Sequence, residues 1–143
     1  MNVFDTMKIG AAALKAQRIR LNVISANLAN VDTTRTPEGG PYQKRNVVFA
    51  SKPADFGTRL DMATRQGVQS VEATAIVRSS RPPRMVYEPG HPDADENGYV
   101  AKPDINPVEE MTDMVAATKA YEANVNVIKA AKRMALKALE IGR

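Results

Sequence analysis

Hydrophobic residues in the stretch 106–143 recur at steps of three and four, with no proline after Pro107 and no glycine before Gly142. Steps that average 3.5 residues are typical of a helix that buries one narrow stripe against another helix. Asn106 and Pro107 predict its start, because asparagine caps free N–H groups and proline suits the first helical position. At 1.5 Å per residue the helix is about 50 Å long, so it needs a partner helix. The predicted stripe, interrupted by Thr118 and Lys132, contains Met111, Met114, Tyr121, Val125, Ile128, Ala135 and Leu139.

The other end of the chain supplies that partner, since helical periodicity extends from Val3 to about Val31. One hydrophobic row steps by seven residues and a second row lies beside it, as in a coiled-coil seam. Gly10 and the three alanines after it form a small face that another backbone could approach closely. We therefore predict that the two terminal helices form an antiparallel coiled-coil hairpin. The two rows are Met7, Leu14, Leu21 and Leu28, and Val3, Gly10, Gln17, Ile24 and Val31.

Three asparagines, Asn22, Asn27 and Asn30, are unusual inside a helix because their side chains compete for backbone hydrogen bonds. Two interpretations follow from the residues alone. Either the end of the helix frays, or asparagine amides at a helix interface specify the register, since such an amide is satisfied in one alignment only.

The middle of the chain alternates between turn residues and short β patterns. Residues 32–41 form a loop rich in threonine, glycine and proline, and residues 42–49 are extended. Residues 67–79 alternate as a β-strand, residues 84–88 and 98–101 are shorter candidate strands, and residues 51–66 are ambiguous, with a possible short helix at 58–64. The predicted fold class is α+β. Its predicted parts are an N-terminal helix in 1–32, a β-rich insertion in 33–105 and a C-terminal helix in 106–143.

Composition narrows the class of protein. The 143 residues carry a net charge of +4 and no cysteine, which excludes disulfides and thiolate chemistry. Basic residues are interleaved with acidic ones along the chain, which favours an ordinary surface over a nucleic-acid footprint. No apolar run reaches the length of a membrane span, and the N-terminus lacks the pattern of a Sec-type signal peptide.

Catalytic chemistry has little support, because the only histidine, His91, lies in a Gly-His-Pro turn. One segment has the spacing of a calcium-binding EF-hand loop, with Asp93, Asp95 and Asn97 at its start and Asp104 at its twelfth position. Prolines on both sides and the lack of an incoming helix argue against calcium. We predict no enzyme activity, no cofactor and no metal.

Several motifs resemble a known family. Residues 21–33, LNVISANLANVDT, resemble the N-terminal motif of the bacterial flagellar axial proteins, which form the rod and hook. Residues 89–95, 98–104, 109–111 and 120–125 resemble the proximal rod members more closely, and they occur in the expected order. The short insertion also resembles that of a proximal rod subunit. Because Asn27, Asn30, Tyr121 and Asn124 match motif positions, the resemblance favours the register interpretation of the asparagines.

The resemblance implies a structural subunit of the basal-body proximal rod, a helical tube that transmits torque and encloses the export channel. It implies export by the flagellar type III apparatus without a cleaved signal, and location in the periplasmic rod. The implied partners are other copies, sister rod proteins, the ring-to-rod adaptor and the rod-capping muramidase, with no nucleic acid and no membrane insertion. The predicted assembly interface comprises Met7, Leu14, Leu21, Ile24, Asn27, Leu28, Asn30, Met111, Met114, Tyr121, Asn124, Val125, Ile128 and Leu139.

Two other classes stay open at this stage. A soluble antiparallel coiled-coil adaptor would form a discrete small oligomer and no filament. A DNA-binding helical protein would need a one-sided stripe of lysine and arginine, and the sequence has none.

Overall fold

The computed structural model describes residues 3–52 and 69–141, which form two helices and four strands. The α+β prediction is therefore confirmed. The elements in chain order are α1 (Val3–Ala29), β1 (Arg45–Lys52), β2 (Ser70–Arg78), β3 (Arg84–Tyr87), β4 (Tyr99–Lys102) and α2 (Pro107–Ile141). The possible helix at 58–64 lies outside the described residues.

The start of α2 is set by Asn106, as predicted. The Asn106 side-chain oxygen accepts a hydrogen bond from the backbone N–H of Val108 at 3.1 Å. The Asn106 carbonyl accepts the first helical bond from the N–H of Glu110, also at 3.1 Å. Pro107 occupies the first helical position, where its missing N–H leaves no bond unmade. The helix then continues without interruption for 35 residues.

α1 ends at Ala29, two residues before the predicted end at Val31, and Asn30 sets this end. Its amide nitrogen Nδ2 donates to the carbonyl of Ala26 at 2.8 Å, and its Oδ1 accepts from the Thr33 hydroxyl at 3.1 Å. The side chain thus binds a carbonyl of the last helical turn and stabilises the turn that follows. The end of α1 is therefore ordered by side-chain bonds, and it does not fray as one interpretation of the sequence proposed.

The strands form two separate antiparallel pairs. β1 pairs with β2, from Arg45 opposite Arg78 to Lys52 opposite Ser70, with a bulge between Val48 and Phe49. β3 pairs with β4 over four residue pairs, ending with Tyr87 opposite Tyr99. Gly98 precedes β4 with φ of 83°, a backbone conformation that glycine adopts without strain. Each of the four predicted strands is present, but β1 begins and ends three residues later than the predicted extended stretch 42–49.

α1 is the central element, because it contacts α2, β1 and β2. Three contacts between the helices, Gly10 with Ile128, Arg20 with Asp113 and Asn27 with Glu110, descend along α2 as they ascend along α1. The two helices therefore run in opposite directions. Small residues line much of this contact, and they let the backbones approach closely. The buried residues of the two helices are Gly10, Ala16, Val23, Ile24 and Asn27 in α1, and Glu110, Ala117 and Ala131 in α2.

The face that α2 turns toward α1 differs in part from the predicted stripe. The row Met114, Tyr121, Ile128 and Ala135 is half-buried, as expected. The second row lies one residue earlier than predicted and consists of Glu110, Ala117, Asn124 and Ala131. Thr118 and Lys132, which interrupted the predicted stripe, are exposed. Ala117 and Ala131 of this row are buried, and small side chains at these two positions allow the helices to approach closely.

Candidate assembly interface

Asn27 is a buried polar residue of the helix contact, with 1% of its surface exposed. Its Nδ2 donates to the Arg45 carbonyl at 2.8 Å and to Glu110 Oε2 at 3.1 Å. Its Oδ1 accepts from the Arg45 N–H at 2.9 Å and from the Tyr42 hydroxyl at 3.2 Å. An asparagine amide has two hydrogens to donate and two lone pairs to accept, so every hydrogen-bonding position of Asn27 is filled.

Glu110 is the second buried polar group, and it is also 1% exposed. Its Oε2 accepts the bond from Asn27, and its Oε1 lies 2.6 Å from Lys44 Nζ. Because Oε1 has no donor in hydrogen-bond geometry, its stabilisation comes from the charge of the lysine. An ionised carboxylate in such a place requires a partner charge, since leaving water is costly for an isolated ion. We call Asn27, Lys44 and Glu110 together the Asn27 node.

The node joins three elements of the fold. Asn27 lies in the last turn of α1, Glu110 in the first turn of α2, and Lys44 directly precedes β1. Asn27 bonds both backbone groups of Arg45 at the start of β1, as a neighbouring strand residue would. The helix pair is therefore attached to the β1–β2 hairpin at one end.

A second close contact lies some 25 Å along the helices, by the rise of 1.5 Å per residue. A β-carbon placed on Gly10 would lie 2.7 Å from Ile128 Cγ1 and 3.1 Å from its Cδ1. Any side chain at position 10 would therefore displace Ile128. Between the two contacts, Arg20 and Asp113 form a partly exposed ion pair of 3.1 Å. Such surface pairs contribute about 1 kcal/mol or less.

Apolar side chains on other parts of α2 have no cover in the single chain. Val108, Met111 and Val115 are exposed at spacings of three and four, which places them on one side of the helix. Leu136, Leu139 and Ile141 are exposed near its end, Ile141 to 85%. Contiguous exposed apolar residues of this kind mark a surface that binds another protein.

The aspartate side chains of the segment 93–104, whose spacing is that of an EF-hand loop, already bind groups of the same chain. Asp93 Oδ2 accepts from the Thr34 hydroxyl at 2.7 Å, and Asp95 Oδ1 accepts from the N–H groups of Asn97 and Tyr99. Asp104 lies 3.7 Å from Arg81. Within residues 3–52 and 69–141, no group of three or more acidic, histidine or cysteine side chains is placed to hold a metal ion.

Two ion pairs lie in the insertion, Glu38 with Arg78 on the exposed surface and Glu88 with Lys102 in a partly buried position. The hydrogen bond from Arg78, with its positive charge, lowers the pKa of Glu38, and the same bond raises the pKa of Arg78. The hydrogen bond from Lys102 lowers the pKa of Glu88. Both carboxylates therefore remain ionised under more acidic conditions than an ordinary glutamate.

Comparisons with known proteins match both helical ends and the whole length. The family model described as "Flagella basal body rod protein" matches residues 7–35, and "Flagellar basal body rod FlgEFG protein C-terminal" matches residues 96–141. A protein of Borreliella burgdorferi named flagellar basal-body rod protein FlgC is 41% identical, covering 99% of this chain and 98% of its own. Proteins of that name from Bacillus subtilis and Salmonella typhimurium are each 40% identical over 100% of this chain and 100% and 98% of theirs.

The chain belongs to the FlgC family of flagellar basal-body rod proteins. The resemblance to flagellar axial proteins is thereby confirmed. Membership of FlgC makes the chain a structural rod protein and not an enzyme, as the sequence predicted. In the part of the chain that the structure describes, neither helix is long and apolar enough to cross a membrane.

The asparagines of the two helical motifs make different kinds of contact. Asn27 joins three elements, as the register interpretation requires, whereas Asn30 forms the local end of α1. Asn22 is exposed. In α2, Asn124 is half-buried and donates to the Ala120 carbonyl of its own helix at 2.8 Å.

The residues predicted for the assembly interface lie at different depths in the single chain. Met111 and Leu139 are exposed, to 56% and 71%. Ile24 and Asn27 are buried. The half-buried ones are Met7, Leu14, Leu21, Leu28, Asn30, Met114, Tyr121, Asn124, Val125 and Ile128. The half-buried set can contact a second subunit only with the surface that its own chain leaves open.

Sequence reasoning missed Glu110 and Lys44. An acidic residue in the first turn of a helix is usually explained by the helix dipole, which gives no reason to expect Glu110 in a buried contact. The spacing of residues in the sequence nevertheless indicates that Glu110 faces the helix contact. Glu110 precedes Ala117 by seven residues, Asn124 by fourteen and Ala131 by twenty-one, so it occupies the same helical row as two alanines.

Proposed function

We propose that this chain is a subunit of the proximal rod, which assembles with other copies and with sister rod proteins into a helical tube. The tube transmits torque and encloses the export channel. Besides the family, the observation that carries this proposal is the exposed apolar surface of α2, formed by Val108, Met111, Val115 and the residues near Ile141. A contact between unlike surfaces whose rotation does not close generates a filament rather than a small oligomer.

We further propose that the terminal helices form an antiparallel coiled-coil hairpin. The heptad rows in α2 and the opposite order of the three interhelical contacts support this arrangement. The division into residues 1–32, 33–105 and 106–143 then has a functional meaning. The first and last parts form the axial tube, and the β-rich part extends from it.

The proposed assembly interface is the predicted set without Ile24 and Asn27, which are buried within the single chain. Met111 and Leu139 have the largest exposed fractions of that set and are the first candidates for contact between subunits. The proposed further partners are the ring-to-rod adaptor, the rod-capping muramidase and the type III export apparatus, which exports the chain without a cleaved signal. Nucleic acid and membrane insertion have no part in this function.

The experiment complements a strain that lacks the gene with Met111→Glu or Leu139→Glu, and measures motility and the yield of purified basal bodies. Both variants should lower the yield, because a carboxylate in an apolar contact loses hydration without a partner. Lys119→Glu changes the charge of an exposed residue on the same helix and should leave rods intact. The alternative, a soluble coiled-coil adaptor, predicts that the wild-type chain is absent from purified basal bodies and migrates as one discrete small oligomer.

A further inference from the structure

Apart from the pair Gly10 and Ile128, the small residues in the contact between α1 and α2 do not by themselves select one alignment. The buried α2 residues Ala117 and Ala131 are identical and fourteen residues apart, and the α1 face opposite them includes Gly10 and Ala16. Small side chains of this kind fit one another in more than one alignment. A slip of seven residues, about 10 Å, would place Ala135 opposite Gly10 and Ala117 in the position of Glu110, so small side chains would again meet, although Asn124 would take the position of an alanine.

The Asn27 node responds differently to such a slip. Displacement of α2 would separate the Glu110 carboxylate from Lys44, and it would leave the buried Asn27 amide without an acceptor for one of its hydrogens. Both losses are costly, because buried polar groups are stable only when they are paired. A single buried polar contact is also the best-attested way to specify register in helix pairs.

We infer that the Lys44–Glu110 ion pair, held by Asn27, sets the register of the two axial helices and makes it depend on the β-rich insertion. The register depends on the insertion because the lysine of this ion pair lies outside both helices. Lys44 belongs to neither helix, and its position is fixed by β1, whose first residue Arg45 bonds Asn27 through both backbone groups. The helices therefore reach their final alignment only when β1 is in place. The three residues are positioning residues, and this inference deepens the proposed function.

The test measures register separately from stability. The chain has no cysteine, so Arg18→Cys and Lys119→Cys introduce the only two sites for nitroxide labels. Both positions are exposed, one on each helix. Pulsed electron–electron double resonance on the full-length protein then measures the distance between the two labels. A slip of one helical turn displaces a label by about 5 Å along the helix axis. Circular dichroism gives the unfolding midpoint of the same samples.

The expected results differ between three variants. Lys44→Met leaves a buried carboxylate unpaired and should lower the unfolding midpoint well below that of the wild type. Lys44→Met with Glu110→Gln removes both charges but keeps an acceptor for Asn27. It should regain most of the lost midpoint, yet show several label distances where the wild type shows one. Asp113→Asn, which breaks the exposed pair with Arg20 between the same helices, is the matched control and should keep the single distance.

The inference is overturned if the double variant retains the single wild-type distance, if Asp113→Asn broadens the distribution equally, or if the wild type itself shows several distances. It is also overturned if Lys44→Met unfolds at the wild-type midpoint. These measurements need no rod. A wild-type chain that is absent from basal bodies would refute the proposed function and leave the assignment of register to the node intact.

Discussion

Gly10 of α1 and Ile128 of α2 lie so close together that the isoleucine fills the space where a β-carbon at position 10 would stand, 2.7 Å from its Cγ1. The glycine is therefore required by the neighbouring helix and not by its own backbone, which is helical. In isolation, replacement of a helical glycine would improve helix propensity by up to about 1 kcal/mol. In this contact the steric cost opposes that gain.

We expect Gly10→Val to lower the free energy of unfolding by about 1–3 kcal/mol, the usual cost of overpacking. The measurement is urea denaturation followed by circular dichroism. Ala11→Val introduces the same side chain at the next residue, which is exposed, and should change the stability by less than about 0.5 kcal/mol. Gly10→Val combined with Ile128→Ala should cost less than the sum of the two single changes. Strict additivity would mean that the two residues do not compete for one space.

Ile128→Asp should abolish rod assembly. The substitution places a carboxylate without a partner in the contact with Gly10, at a cost of several kcal/mol per subunit. Lys129→Asp alters the adjacent exposed residue and should cost about 1 kcal/mol or less. Motility and basal-body yield in complemented cells compare the two. Normal rods with Ile128→Asp, together with a defect from Lys129→Asp, would show that α2 presents a different face to its partners.

Amide hydrogen exchange in the free subunit should vary along the helix pair. Helices depend mainly on tertiary packing for stability, and the node closes only one end of this pair. We expect the slowest exchange in residues 20–27 and 110–117 and the fastest helical exchange in residues 134–141. Uniform protection along α2 would contradict this gradient.

The Glu88–Lys102 pair should make stability depend on pH in the acid range. Because Lys102 lowers the pKa of Glu88 in the folded protein, the pair's contribution is complete at neutral pH and is lost as the pH falls through that lowered pKa. The wild type should therefore lose its advantage over Lys102→Met on acidification. A titration of Glu88 by nuclear magnetic resonance should show its pKa return toward the ordinary value in the variant. A pKa that is the same in both proteins would exclude Lys102 as the cause.

Calcium should have no role in this protein. The carboxylates of Asp93 and Asp95 are used by Thr34 and by backbone N–H groups, so a bound ion would have to displace those contacts. Titration calorimetry should detect no binding tighter than about 1 mM, the range of the weakest extracellular calcium sites. A micromolar constant that disappears in Asp93→Ala would contradict this expectation.

Local sequence signals predicted the elements of the fold well. Asn106 and Pro107 fixed the start of α2, and alternation in 67–79 predicted β2, because capping and side-chain alternation depend on neighbours in the chain. The buried row of α2 was placed one residue late. Methionine at 111 and valine at 125 suggested burial more strongly than glutamate at 110 and asparagine at 124. Hydrophobicity favours large side chains, whereas a close helix contact favours small ones.

The ion pair of the node could not be predicted from either helix alone. Lys44 lies 66 positions before Glu110, in a segment whose pattern indicates only an extended chain. Lys44 and Glu110 come together only because β1 packs against α1. Long-range pairing of this kind depends on the relative position of whole elements, and no local periodicity reports it.

The unequal lengths of the two helices, 27 and 35 residues, have a mechanical consequence. The eight residues from Gly10 back to Val3 lie beside the eight from Ile128 to Ala135, so the six residues from Leu136 to Ile141 extend past the start of α1 by about 9 Å. In a tube built from such pairs, the end of one helix is offset along the axis from the end of the other. A twisting load would then meet continuous helix at every cross-section, and no single plane would contain only the breaks between subunits.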